Sequence, residues 1–120
     1  MSSASVLSTG NAIARKLDTI REKGALRSVD VANVVDVKEE TVSRWRQGKA
    51  FPQREKEKLL MELEWIVEQL SDFYSPQEAR LWLFSRQKLL DGRIPAELIQ
   101  LGQAEDVIQV IEELRDGVYL

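Results

Sequence analysis

Two residue types are missing from this 120-residue chain altogether: it has no cysteine and no histidine. Without cysteine there is no disulfide, no thiolate nucleophile and no zinc–thiolate site. Without histidine the commonest general base and the commonest nitrogen ligand for metals are gone. Carboxylates remain, but their spacing gathers no Mg²⁺ site, and no glycine-rich phosphate loop accompanies them. The composition therefore argues against an enzyme and for a protein with no cofactor and no metal. Long apolar runs are missing too. The longest is Leu81–Phe84, far too short to span a membrane. Met1 to Asn11 is polar and small, with no basic stretch leading into an apolar one, so no signal peptide is read there. These absences predict a cytoplasmic protein with no membrane partner.

Charge is present in quantity but unevenly placed. The formal net charge is −3. Residues 1–54 carry ten Lys/Arg against six Asp/Glu, a balance of +4, whereas residues 55–120 carry seven against fourteen, a balance of −7. Such a split predicts two surfaces with two kinds of partner, the first suited to phosphate and the second repelled by it. The length fits one domain, or two small helical subdomains sharing a core, and folding should bury roughly two thirds of the unfolded surface.

The apolar periodicity is helical nearly throughout, which predicts an all-α fold. Ile13, Leu17 and Ile20 mark a first helix that Gly24 would end. Ser28 is read as the cap of a short second helix bearing Val31, Ala32, Val34 and Val35; a strand through these valines is the rejected alternative. A third helix runs from about Glu39 to Gln47 and stops at Gly48. After Pro52, residues 54–74 read as the longest helix. Leu59, Leu60, Leu63, Ile66, Val67, Leu70, Phe73 and Tyr74 fall on one face, with Met61 and Trp65 opposite. That second stripe either packs inside the fold or meets another chain. Ser75-Pro76-Gln77-Glu78 has the form of a helix start, with serine cap, proline first and glutamate third. It opens a helix carrying Leu81, Trp82 and Leu83. A short turn follows through Leu90 to Asp91-Gly92, then a helix from Pro95 to Leu101 ended by Gly102. The last, from Glu105 to Asp116, turns Val107, Ile108, Val110, Ile111 and Leu114 inward and Glu112-Glu113 to solvent, and Gly117 ends it.

The second and third helices have the pattern of a helix-turn-helix. Ala32 supplies the small residue at the helix contact, and Val31, Val35, Val37, Val42 and Trp45 line the inner seam. The turn usually places glycine where φ is positive; Asp36 stands there instead, a mild departure because Asp tolerates that region. Facing away from Val42 and Trp45 are Glu40, Ser43, Arg44 and Gln47. Ser43, Arg44 and Gln47 are of types that read base edges, while Arg46, Lys49 and Arg54 are placed to grip phosphates. Glu39 and Glu40 at the start of the same helix oppose this, unless one accepts from a cytosine amino group. DNA binding is the leading expectation; a helix-turn-helix kept as scaffold is the alternative.

From Val42 onward the chain resembles the Xre/MbcA/ParS antitoxins, helical proteins paired with RES-domain toxins. The resemblance rests on SRWRQG (43–48), FPQR (51–54), LWLFSRQKLLDGRIPAELIQLG (81–102) and VIQVIEELRDGVYL (107–120), and is strongest toward mycobacterial members. Its most specific parts are Trp82-Leu83, the Leu90-Asp91-Gly92 turn, Pro95-Ala96-Glu97-Leu98-Ile99 and Gly117. What the resemblance implies is an antitoxin. It would bind a toxin that destroys NAD by phosphorolysis or hydrolysis, or that uses NAD for ADP-ribosylation. Terminal residues would block the toxin's active-site entrance, and the helix-turn-helix would repress the shared operon. Homodimers within larger toxin–antitoxin complexes are implied as well.

The expected organisation is thus a helix-turn-helix domain over residues 1–52, with a long connecting helix and a small toxin-binding and dimerisation domain over 53–120. Trp82, Leu83, Arg93, Gly117, Val118, Tyr119 and Leu120 are the expected toxin contacts. The bare residues agree in part: the acidic half is the one suited to a protein, and the ending Val118-Tyr119-Leu120 offers an aromatic anchor with its free carboxylate as a plug. Trp82 and Leu83 read as core at least as readily as contact, and Gly92, Pro95 and Gly102 as helix-boundary residues; a frayed tail is the lesser alternative to the plug. A stand-alone Xre-type repressor whose C-terminal half only dimerises is the runner-up.

Overall fold

A computed structural model describes residues 2–117, with side chains from Ala12 onward. Its order is α1 (Ser2–Gly24), α2 (Ser28–Val35), α3 (Glu39–Arg46), α4 (Arg54–Leu70), α5 (Pro76–Phe84), a single 3-10 turn at Lys88–Leu90, α6 (Pro95–Gln100) and α7 (Ala104–Arg115). No strand occurs among the described residues, so the all-helical expectation holds; an isolated antiparallel bridge between Gln87 and Arg93 is the sole extended pairing described.

α4 is the organising helix. Leu60, Leu63, Ile66, Val67 and Leu70 recur every three or four residues, and all five are fully buried. Burying each such side chain contributes roughly 1.5–3 kcal/mol, so this stripe holds α1, α2, α6 and α7, all of which pack on it. Ile13, Leu17 and Ile20 form the matching face of α1. The valines that tempt a strand reading are helical, and Val31, Val34 and Val35 are buried in α2. One hydrophobic cluster includes residues from every helix. The expected division after residue 52 separates two stretches of sequence, while the core runs across it.

Several boundaries differ from expectation, each for a local reason. Gly24 is the last residue of α1 and does not itself turn the chain; Ala25 does, at φ 53°. Gly24 is needed for closeness, since a Cβ there would stand 3.0 Å from both methyls of Val67. Ser28 is the first residue of α2, and its cap position belongs to Arg27, whose N–H donates to the Asp30 carboxylate at 2.8 Å. α4 stops at Leu70, four residues short of the expected end, where Ser71 to Tyr74 tighten into a turn on the carbonyls of Val67, Gln69 and Leu70. Phe73 thereby leaves the apolar face, is 42% exposed, and is covered by the guanidinium of Arg115 at 5.4 Å. Met61 and Trp65 are exposed, so their stripe is not packed inside the chain. The start of α5 is as read: the Ser75 hydroxyl accepts from Glu78 N–H, and the Glu78 carboxylate accepts from Ser75 N–H at 2.8 Å.

Candidate functional site

Two surfaces carry the residues singled out in the sequence, and one buried contact ties them together. The first surface is built on α2 and α3. Val31, Ala32, Val35, Val42 and Trp45 are buried between the helices and the rest of the core, with Val37 partly so. Asp36 adopts the left-handed conformation (φ 59°, ψ 58°) that turns α2 into α3. The carbonyls left open at the end of α2 are met by Lys56 of α4, whose ammonium donates to Val35 O at 2.9 Å and Asp36 O at 3.3 Å; a cation there also suits the negative end of the helix.

On the outer side of α3 and its cap, Glu40 lies three and four residues before Ser43 and Arg44, and Gln47 four and three residues after them, so the four share one face. Arg44 and Gln47 are exposed and Ser43 half-buried, while Lys49 and Arg54 are exposed on the segment beyond. Arg46 points elsewhere: its guanidinium donates to the Asp18 carboxylate of α1 at 2.7 Å. That pair fastens α3 to α1 and occupies a side chain expected to be free for phosphate. Glu39 and Glu40 occupy the first turn of α3, whose cap residue Lys38 supplies no side-chain acceptor. Their carboxylates offset the positive end of the helix, a structural reason for acids on this surface.

The second surface lies on α5, the 3-10 turn, α6 and α7. Here Trp82 and Leu83 are core residues, at 9% and 1% exposure. They anchor α5 and turn its other residues outward: Leu81 is 69% exposed and Phe84 36%. Leu89 and Leu101 are also exposed in the same half of the chain. Leu81, Leu89 and Leu101 fit helical periodicity as well as their buried neighbours do, so the sequence pattern alone did not set them apart. The Leu90-Asp91-Gly92 turn is a closed unit. Asp91 and Gly92 both have positive φ, Gly92 N–H donates to Gln87 O at 2.9 Å, and Gln87 Nε2 donates to Trp82 O at 2.9 Å. Arg93 is exposed, with Nε donating to Leu90 O at 2.9 Å and the guanidinium 3.9 Å from Asp106. Gly117, at φ 74°, ends α7 as expected. Val118, Tyr119 and Leu120 lie outside the described residues.

The buried contact joins Asp30 of α2 to Arg80 of α5, two residues no motif reading selected. Asp30 is the one charged residue buried among those described. Arg80 donates to both its oxygens, at 2.6 and 3.0 Å, and also to Ala25 O at 3.1 Å. Burial pushes the Asp30 carboxyl up, but the hydrogen bonds from Arg80 and Arg27 and their charges outweigh it, and the net shift is downward. The same hydrogen bond raises Arg80. Arg80 also stacks over Phe84 at 5.3 Å, so one guanidinium touches the base of the first surface and the edge of the second. The sequence signal was a lone acid between Val29 and Val31, easily taken for a helix-start carboxylate.

Among the described residues no group of His, Cys, Asp and Glu is arranged to hold a metal, and no helix is long and apolar enough to cross a membrane. No protein-family model matches the chain. It is 30% identical over 110 residues to mycobacterial cidal antitoxin MbcA of Mycobacterium tuberculosis and of Mycobacterium bovis, covering 92% of this chain and 97% of the relative. It is 35% identical over 104 residues to a probable mycobacterial cidal antitoxin of M. tuberculosis, covering 87% and 88%. Its fold matches a chain in the crystal structure of the M. tuberculosis MbcT–MbcA toxin–antitoxin complex with a TM-score of 0.78 at 30% identity, over 89% of this chain and 96% of that one.

Proposed function

This chain belongs to the MbcA antitoxin family, and we propose that it binds and silences a cognate RES-domain toxin that consumes NAD. The observation that carries this reading is the near full-length match, in sequence and in fold, to a chain of a toxin–antitoxin complex. The acidic half supports it, with Leu81, Phe84, Leu89 and Leu101 left exposed. Exposed apolar residues in an acidic stretch suit a protein partner. Trp82 and Leu83 act from the core by fixing α5, and Arg93 stands at the rim. Val118, Tyr119 and Leu120, which follow Gly117 in the sequence, plug the toxin's NAD entrance. The protein performs no chemistry itself and works in the cytoplasm, where NAD and operator DNA are found.

A second activity belongs to α3. The stripe of Ser43, Arg44 and Gln47 reads operator DNA, with Lys49 and Arg54 on phosphates and Arg46 holding α3 against α1. Repression of the shared operon then adds to inhibition of the toxin. Met61 and Trp65 on the outer face of α4 supply the contact of a homodimer. A stand-alone repressor would share the DNA surface but have no toxin partner.

The decisive experiment is co-expression with the RES-domain protein encoded nearest the gene. Recovery of both chains as one complex is expected, with loss of that complex when residues 118–120 are deleted from an otherwise folded antitoxin. Failure to bind any RES-domain protein of the same genome overturns the antitoxin reading. Unchanged protection by the truncated chain overturns the plug.

A further inference from the structure

A cleft of about 520 Å³ opens between the last turn of α1 and the start of α5, with Arg21, Glu22, Ala25, Arg27, Gln77 and Arg80 in its walls. Three arginines and one glutamate are among the residues that line it. Arg80 is held still by Asp30 and Ala25 O, so its charge is balanced but its position is fixed. Arg27 is 72% exposed, and the carboxylate nearest its Nε is that same Asp30, at 3.9 Å. Arg21 enters no ion pair among the described residues and is exposed. Glu22 is the acid among the lining residues, and Asp30, shared with Arg80, loosely pairs Arg27 from beneath. Neither Arg21 nor Arg27 contributes its side chain to the core, so packing gives no reason for two arginines here.

We propose that this cleft binds the phosphate groups of a phosphoester. Planar guanidinium forks match phosphate oxygens in pairs; Arg80 spends its terminal fork on Asp30 but stands fixed beside Arg21 and the loosely paired Arg27, which makes the site partly preorganised. The volume exceeds a bare phosphate and falls within the range of small-ligand pockets. Two sources carry this chemistry: the diphosphate of a free nucleotide, and the backbone of a duplex. Arg27 caps α2, and in a helix-turn-helix the first helix crosses the DNA backbone. The duplex source rests on the operator reading above; the free-nucleotide source does not.

The test uses the full chain, inorganic pyrophosphate and an operator duplex. In an amide NMR titration, pyrophosphate shifts residues 21–27 and 76–80 saturably. The Arg21→Ala/Arg27→Ala double variant weakens that binding about tenfold or more, and Glu22→Gln tightens it. Both arginine side chains are exposed and only the loose Arg27–Asp30 pair is lost, so the double variant stays folded with a midpoint close to that of wild type. No saturable shift, or equal affinity in the double variant, overturns the proposal. If the double variant also lowers the log–log salt slope of duplex binding by about two, the phosphate belongs to DNA. If pyrophosphate binding falls and duplex binding does not, the ligand is a free phosphoester. Should the chain bind no duplex at all, the operator reading fails and the pyrophosphate titration still decides this one.

Discussion

Removing one partner of the Asp30–Arg80 contact leaves a charge stranded between two helices. Arg80→Gln should destabilise the fold by about 2–3 kcal/mol at pH 7, below the figure for a fully enclosed pair because the arginine side chain is about one third exposed. The pH dependence has a definite sign. The Asp30 carboxyl titrates lower in the folded protein than in the unfolded chain, so the unfolded state binds more protons through that interval and stability rises with pH there. The contribution is complete above the unfolded value near pH 4 and is lost as pH falls through the folded value. Urea unfolding of wild type from pH 2 to 6 should show that rise. In Arg80→Gln the lowering influence of the guanidinium is gone while burial still raises the carboxyl, so the rise should shrink or reverse. An unchanged profile would mean that the pair does not govern Asp30. Gly24 supplies a second test at this scale: Gly24→Ala drives a methyl into Val67, and a loss of about 1–3 kcal/mol is expected from urea midpoints.

Helix ends decide the elements, and they divide sharply in how far the sequence reveals them. At α5 the Ser75, Pro76 and Glu78 pattern is chemical: a hydroxyl, a missing N–H and a carboxylate each meet a specific backbone need, and the helix begins where they say. Ser75→Ala should lower stability by about 1 kcal/mol in thermal or urea unfolding. At the end of α1 the same reasoning chose Gly24, but the residue with positive φ is Ala25. Two different demands for glycine, a left-handed turn and a close approach, look identical in one sequence. Ala25→Gly should therefore stabilise the protein, by up to about 1 kcal/mol, because it relieves the left-handed strain. The α2–α3 turn was legible at Asp36, whose tolerance of positive φ was anticipated. Arg46 was not, because its partner Asp18 is 28 residues away on another helix, a separation that periodicity does not bridge. Arg44→Ala should cost about 1–3 kcal/mol of operator binding with loss of sequence preference, while Lys49→Ala should weaken all duplexes alike. Gel shifts with operator and scrambled duplexes distinguish them, and no change in either would leave α3 a scaffold.

For the molecule as a whole, the stretch with a balance of +4 before residue 55 and the stretch with −7 after it share one core. Helical class, the shared core and the order of helices follow from apolar spacing, since α1, α4 and α7 each bury a stripe repeated every three or four residues. Which apolar residues stay outside does not follow from spacing: Trp82 is enclosed while Leu81 and Phe84 on the same helix are exposed, and that choice depends on how α5 meets α6 and α1. The most direct measurement is NAD consumption by the purified cognate RES-domain toxin as this chain is added. Inhibition that becomes complete at a fixed, small molar ratio is the predicted result. NAD loss that continues unabated at saturating excess would contradict the account.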